Sequence, residues 1–171
     1  MKKIMLLLIA VTGFTATSMA QINVSINIGR QPVWGPVGYD HVDYYYLPDV
    51  ECYYSVPERV YIYRNGNSWA RSRALPRRYA NFDVYHAHKV VINGVDRPYL
   101  MHDRYRKEYY GYRNKHDQMA IRDSREAKYY VNRYHPKHDE WKKYHKGKEN
   151  RGRADRGNGN GRGNGRDRDR Y

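Results

Sequence analysis

The sequence contains a single cysteine, Cys52, among its 171 residues. One thiol excludes an intrachain disulfide, so the fold is not a disulfide-stapled scaffold of the kind common in small secreted domains. Cys52 lies in an alternating apolar segment, which predicts a buried and inert thiol. Pairing with a second molecule and ligation of a metal are the alternatives.

Phenylalanine is scarce and tyrosine is abundant, with 2 Phe against 20 Tyr. Tyrosine buries a large ring, but its hydroxyl needs a hydrogen-bond partner. Because aromatic residues favour strands, we expect a small β domain in which tyrosines pack across strands. The alternative is an aromatic surface that stacks on sugars or bases. Its candidate residues are Trp34, Tyr53, Tyr61, Tyr63 and Trp69.

The sequence lacks the common catalytic motifs. It has no Gly-rich phosphate loop after a strand, no nucleophile elbow and no zinc-protease helix motif. Asp40, Asp43, Glu51 and Glu58 lie in the predicted β region without a spacing that pairs them for acid–base work. Exposed carboxylates are the default, so we expect these four to be solvated or ion-paired. The sequence therefore predicts a protein that is not an enzyme and that needs no cofactor.

The N-terminus has the pattern of a secretory signal peptide. Two lysines precede a short apolar run over 4–11, and Ser18 and Ala20 place small residues before Gln21. This pattern predicts cleavage after Ala20. The apolar run is too short for a permanent membrane anchor, and the absence of a nearby cysteine argues against a lipoprotein anchor. We therefore expect a mature protein that is periplasmic or secreted, with no transmembrane segment.

Alternating hydrophobicity predicts the first strand and a later extended segment. Residues 21–28 alternate Ile and Val with Asn and Ser, which is typical of a strand with one buried face. Prolines and glycines predict a loop around Trp34 over 29–41. Further along, 83–92 is predicted to be extended and to end at an Asn-Gly turn.

Between these segments, the pattern predicts an antiparallel β-meander. Short β-branched and aromatic runs at 50–54 and 60–63 are separated by a turn. Val50, Cys52 and Tyr54 are expected to share one face of the first strand. In the second strand, Val60 and Ile62 are expected on one face and Tyr61 and Tyr63 on the other. Asn65-Gly66 predicts a type I′ hairpin turn into a return strand that begins at Ser68.

Composition divides the chain into four predicted parts. These are a signal peptide (1–20), a Tyr-rich β domain (21–101), a basic, partly helical extension (102–146) and a disordered Arg/Gly/Asn-rich tail (147–171). Charged helix formers over 102–112 and 117–132 favour helices, although their apolar stripes are weak. The tail lacks the apolar surface needed to offset chain entropy, which predicts disorder.

Charge is concentrated toward the C-terminus. Residues 21–110 carry 12 basic and 9 acidic side chains, whereas residues 111–171 carry 18 and 9. This asymmetry predicts anionic partners, such as lipopolysaccharide, anionic glycans or phospholipid headgroups, and no specific nucleic acid. The alternative is a solubilising tail without a ligand. The candidate anion-binding residues are Arg151, Arg153, Arg156, Arg162, Arg166, Arg168 and Arg170.

Histidines suggest a second function, metal binding at the envelope. His86 and His88 would share one face of a strand, and His135, His138 and His145 form a second group. Imidazoles bind transition metals readily. Neither group has the fixed spacing of a known ligand set, so histidines that simply face solvent are the default interpretation.

Several aromatic and proline blocks occur in a recognisable order. They include P-V-W-G-P-V-G-Y-D at 32–40 and Y-Y-Y-L-P at 44–48, followed by Tyr61-Ile62-Tyr63, Trp69 and Lys89-Val90-Val91-Ile92-Asn93. Over about 21–105, and not in the tail, the chain resembles a group of small secreted proteins of Gram-negative bacteria that have no established function. The resemblance implies a β-rich envelope protein and transfers no activity. Together, these observations predict a non-enzymatic envelope protein with a binding or structural role.

Overall fold

A five-stranded antiparallel sheet lies at the centre of the fold. The computed structural model describes residues 26–146. The strands are β1 (Tyr44–Leu47), β2 (Cys52–Ser55), β3 (Val60–Asn65), β4 (Ser68–Ser72) and β5 (Val90–Ile92), arranged in the order β4-β3-β2-β1-β5. The first four form a meander, and β5 pairs with the free side of β1. The predicted mainly β, antiparallel fold is confirmed.

Among the described residues, helical structure is confined to short pieces. Helix α1 spans His102–Glu108, and a second helix, α2, covers 138–146, where the described residues end. Short 3₁₀ turns occur at Ile28–Arg30, Arg77–Tyr79, Pro98–Met101, Tyr110–Tyr112, Ile121–Asp123 and Ala127–Val131. Within the described residues, no helix has the length and apolar character required to cross a membrane.

The sheet is buried on both faces. The Trp34 face, named for the indole at its centre, carries Tyr45, Cys52, Tyr54 and Tyr61. The Tyr53 face carries Tyr46, Tyr53 and Ile62, packed against Tyr99 and Tyr105. The predicted alternation is confirmed, because Val50, Cys52 and Tyr54 all lie on the Trp34 face. Val60 and Ile62 lie on the opposite face from Tyr61 and Tyr63.

The N-terminal strand predicted over 21–28 is not seen in its described part. Residues 21–25 lie outside the described residues, and Ile28–Arg30 form a 3₁₀ turn instead. The Asn27 side chain accepts a hydrogen bond from the Val42 amide at 3.0 Å and donates to the Val42 carbonyl at 2.7 Å. This side-chain pairing holds the segment as a loop beside the sheet. A strand that the pattern did not predict, β1, lies between β2 and β5.

The hairpin between β3 and β4 has a different turn from the predicted one. Asn65 pairs with Ser68, so the two central residues are Gly66 and Asn67. Gly66 has φ 60, whereas Asn67 is outside the left-handed region. One positive φ at the first central position is the pattern of a type II′ turn. The predicted type I′ turn is therefore wrong, although the hairpin and its return strand are confirmed.

The extended segment predicted over 83–92 is reduced to the three residues of β5. The Asp83 carboxylate accepts hydrogen bonds from the amides of Tyr85 at 3.0 Å and His86 at 3.4 Å. Aspartate bonded to its own following backbone closes a turn, so 83–86 cannot extend. His86 and His88 therefore do not lie together on a strand, contrary to the prediction.

The helix predicted over 117–132 is also wrong. This segment runs alongside the loop at 33–37, with Ala120 bridged to Pro36. The Ile121 amide donates to the Gly35 carbonyl at 2.8 Å, and only isolated 3₁₀ turns interrupt the segment. Ile121 and Tyr129 are fully buried against Ile28. The apolar stripes of this segment are too weak to give a helix a face that packs on the core. The segment instead forms backbone hydrogen bonds with the 33–37 loop.

Gly35 provides a test of this packing. An alanine Cβ there would lie 2.6 Å from the Tyr45 hydroxyl, which is fully buried and donates to Gln31 at 2.9 Å. We expect Gly35→Ala to lower the free energy of unfolding by about 2 kcal/mol, as overpacking does. Gly111→Ala is the matched control, because a Cβ at Gly111 meets nothing within 4 Å. Urea unfolding of both variants is the measurement, and equal midpoints would contradict the packing described.

The buried ammonium of Lys89 predicts that the stability of the fold depends on pH. Its side chain is 1% exposed and its ammonium donates to the Tyr85 carbonyl at 2.8 Å. Burial lowers the pKa of Lys89 to about 8 from its ordinary 10.5. Between these values the unfolded chain binds more protons than the native chain, so the Lys89 contribution to stability rises with pH. Lys89→Met removes this contribution.

We therefore expect the stability difference between wild type and Lys89→Met to shift in favour of wild type from pH 7.5 to 9.5. Urea unfolding at both pH values measures the shift. Because both chains contain the same tyrosines, tyrosine titration cancels in the difference. A difference that does not change with pH would show that the ammonium is not held in a desolvated position.

Candidate binding site

The structure does not bring the five predicted aromatic residues into one surface. Trp34, Tyr61 and Tyr63 lie on the Trp34 face, whereas Tyr53 and Trp69 lie on the opposite face. The exposed fractions of Trp34, Tyr53 and Tyr61 are 8%, 0% and 9%. These three lie mostly in the core, because the sheet is covered on both faces, and of the three only Trp34 lines the pocket described below.

Tyr63 and Trp69 are half-buried, and an arginine lies over each ring. The Arg78 guanidinium is 5.8 Å from the Tyr63 ring centre, and that of Arg64 is 5.5 Å from the Trp69 ring centre. The seven arginines predicted to bind anions, from Arg151 to Arg170, lie outside the described residues.

A pocket of about 510 Å³ opens beside Trp34. Four separate parts of the chain line it: the loop after the first 3₁₀ turn, the β2–β3 region, the Asp83 turn and the segment before α2. None of the described residues that line it carries a carboxylate. We call it the Trp34 pocket, and its aromatic and charged members are Arg30, Trp34, Tyr54, Arg59, Tyr85 and Tyr134.

Buried amides hold the pocket in shape. The side chain of Gln31 is 1% exposed, donates to the Tyr39 carbonyl at 3.0 Å and accepts from the Tyr45 hydroxyl at 2.9 Å. The side chain of Asn132, also fully buried, donates to the Gln31 carbonyl at 2.6 Å. These bonds join the loop that carries Arg30 to the segment that carries Tyr134. The pocket is therefore formed before any ligand binds.

The aromatic side of the pocket is formed by rings that contact one another. The Trp34 ring contacts Tyr54 edge-on at 5.0 Å and lies nearly parallel to Tyr61 at 6.1 Å. Burial raises the pKa of Tyr54 above its usual value. The phenol therefore remains neutral and can donate a hydrogen bond at physiological pH.

The charged side of the pocket consists of arginines. Arg30 and Arg59 are exposed, and neither forms an ion pair with a described residue. Arg59 has φ 58, a left-handed conformation that is uncommon for a residue with a side chain and that clusters at functional sites. Two further guanidiniums lie over the lining tyrosines, Arg122 at 4.0 Å from Tyr85 and Arg133 at 4.5 Å from Tyr134.

The predicted acidic residues are ion-paired, as expected. Glu51 accepts from Arg113 at 2.7 Å and from Arg106 at 3.0 Å. Glu58 pairs with Arg71 at 2.5 Å. Asp40 and Asp43 pair with Lys128 and His41, at 3.0 and 2.9 Å. These carboxylates pair with other bases, and no carboxylate of residues 26–146 forms an ion pair with Arg30 or Arg59.

The predicted histidines have other partners. His86 contacts the Asp83 carboxylate at 2.5 Å, and His88 contacts Asp117 at 2.6 Å while stacking on Tyr112 at 4.3 Å. Within residues 26–146, no group of three or more histidine, cysteine or acidic side chains is arranged to hold a metal ion. Metal binding remains a prediction.

The second group of histidines is spread over α2 and the turn before it. His135 is 4% exposed and contacts the Ser124 carbonyl at 3.2 Å. His138 and His145 stack on Trp141, with ring centres 5.6 and 4.2 Å away. The indole therefore lies between the two imidazoles.

Comparison with known proteins assigns no family. The chain matches no protein-family model, no curated protein and no solved structure. The resemblance to small secreted envelope proteins stays a prediction.

Cys52 yields a prediction about reactivity. Its thiol is fully buried, lies 3.1 Å from the Val50 carbonyl, and has a pKa raised by burial to about 12. At pH 8 only about one molecule in 10⁴ would carry the reactive thiolate. We expect no labelling by Ellman's reagent in the native state and one thiol per chain in denaturing urea. Rapid labelling of the native protein would show that Cys52 is accessible for intermolecular pairing or metal ligation.

Proposed function

We propose that this protein is a non-enzymatic binding protein, periplasmic or secreted, that engages anionic glycans of the cell envelope. In this proposal the Trp34 pocket holds a sugar that carries a carboxylate or phosphate. The observation that supports it is the combination, in one preformed pocket, of aromatic rings with Arg30 and Arg59 and with no lining carboxylate. The signal-peptide pattern of residues 1–20 supports the location.

The two sides of the pocket match the two sides of an acidic sugar. The apolar C–H face of a pyranose would pack on aromatic rings that line the pocket, such as Tyr85 and the 60% exposed Tyr134. A guanidinium binds carboxylate or phosphate through two parallel hydrogen bonds. Guanidiniums stay protonated, so these charges suit anion binding rather than proton transfer.

The basic extension adds a second, less specific contribution. Residues 102–146 contain 13 basic and 7 acidic side chains. This segment also brings Tyr134 to the pocket. A surplus of positive charge around a site raises the local concentration of polyanions and speeds their association. The arginines of 147–171, although outside the described residues, belong to the same proposal.

Titration calorimetry with a defined oligogalacturonate tests the proposal, with a neutral oligosaccharide of equal length as the comparison ligand. We expect the anionic sugar to bind and the neutral one to bind at least about tenfold more weakly, because two charge-assisted contacts are lost. Arg30→Gln combined with Arg59→Gln should weaken anionic binding by a similar factor. Arg73→Gln combined with Arg77→Gln is the matched control, since it removes two exposed arginines that lie outside the pocket and outside residues 102–146.

Equal binding of both sugars, or equal effects of the pocket and control variants, would contradict the proposal. Truncation after residue 146 separates the two contributions. We expect the truncated chain to keep its preference for the anionic sugar and to show a smaller salt dependence. Complete loss of the preference on truncation would assign binding to the tail alone.

A further inference from the structure

The outer edge of β4 is open among the described residues. β4 is the terminal strand of the sheet, and its hairpin closes with the pair Asn65 and Ser68. In an antiparallel ladder, hydrogen-bonded pairs alternate with non-hydrogen-bonded pairs. The amide and carbonyl groups of Trp69 and Arg71 therefore point away from β3. No described residue forms a backbone hydrogen bond with them.

The opposite edge of the sheet is different. There the side chain of Gln118 accepts from the Lys89 amide at 2.8 Å and donates to the Lys89 carbonyl at 3.0 Å. One side-chain amide thus occupies the position that a neighbouring strand would take. The strand that follows, β5, has only three residues. β4 is therefore the longer edge and the one without such a cap.

The β4 edge is strongly basic. Residues 59–82 contain no acidic side chain and six arginines, which are Arg59, Arg64, Arg71, Arg73, Arg77 and Arg78. Among the last five of these arginines, Arg71 is the only one that pairs with a described carboxylate, which is that of Glu58. Positive charge on an edge strand opposes pairing with a second copy of the same edge. It favours a strand of the opposite charge.

A groove of about 340 Å³ lies beside this edge. Its lining combines Trp69, Tyr99, Leu100 and Met101 with the polar or charged Arg64, His102, Asp103 and Arg104. Leu100 is 65% exposed and Met101 is 39% exposed, so both can contact an added strand. The side chain of Trp69, in β4, lies on the Tyr53 face of the sheet, the face beside the groove. A strand added to β4 would direct every second side chain toward this side.

We infer that the β4 edge binds an extended acidic segment of a partner protein, which adds to the sheet as a sixth strand. Main-chain hydrogen bonds to Trp69 and Arg71 supply the affinity, and the groove selects apolar residues at alternate positions. Acidic residues between them point toward the Trp34 face, where Arg78 lies over Tyr63 and pairs with no described carboxylate. Strand addition of this kind is a recurrent mode of peptide recognition.

A synthetic peptide of about eight alternating glutamates and valines is the probe, titrated into the mature protein. We expect it to bind and to slow amide hydrogen exchange at Trp69 and Arg71, but not at Ala70, whose amide already faces β3. A peptide N-methylated on alternate residues removes the ladder donors and should bind at least about tenfold more weakly. A peptide with lysine in place of glutamate should also fail.

The protein side is tested with Arg78→Gln, and Lys107→Gln, which removes one exposed charge on α1 outside the groove, serves as the control. We expect the edge variant to weaken peptide binding about fivefold or more and to reduce its salt dependence, and the control to have little effect. Arg30 and Arg59 are unchanged in these variants, so sugar binding in the Trp34 pocket is measured independently.

Three results would overturn the inference. The first is equal affinity for the N-methylated and unmodified peptides. The second is dimerisation of the unliganded protein with exchange protection at Trp69 and Arg71, which would make a second copy the occupant. The third is binding to anionic vesicles that depends on Leu100 and Met101, without peptide binding, which would identify a membrane-contacting surface.

Discussion

The hydroxyl groups of the buried tyrosines determine which segments cover the sheet. A tyrosine in a core contributes a large apolar ring, but an unpaired hydroxyl removes much of that benefit. The hydroxyl of Tyr45 is met by Gln31 at 2.9 Å, and that of Tyr53 lies 3.2 Å from His102. Tyr129 accepts a hydrogen bond from the Gly38 amide at 2.6 Å. In each of these three contacts, a polar group from one segment of the chain meets the hydroxyl of a buried tyrosine from another segment.

The candidate pocket is a consequence of this same requirement. Gln31 must reach Tyr45, which fixes the loop that carries Arg30. Asn132 then satisfies the Gln31 carbonyl and fixes the segment that carries Tyr134. Arg30 and Tyr134 are about a hundred residues apart in the chain, yet two amide side chains bring them to one cavity. The geometry of the site therefore depends on hydrogen bonds within the core.

The sequence correctly predicted the parts of the fold that depend on residues close together in the chain. The β3–β4 hairpin depends on short-range alternation and on one glycine, and both are visible in the sequence. β1 was missed because it is buried on both faces, and its run of tyrosines shows no alternation of polarity. The false helix over 117–132 shows the opposite error. Its helix formers are outweighed by backbone pairing with the 33–37 loop, a contact some 85 residues away in sequence.

The candidate site was harder to predict, because ion pairing rather than charge density decides which bases are available. The sequence places most of its positive charge after residue 110, yet Arg30 and Arg59 come from the nearly neutral first part. In the folded chain, Glu51 forms ion pairs with both Arg106 and Arg113 of the segment beyond residue 101. Arg30 and Arg59 lie beside aromatic rings, and no described carboxylate lines the pocket or forms an ion pair with them. We therefore expect a basic protein to bind anions where its acids are absent, and that location depends on tertiary contacts that composition does not encode.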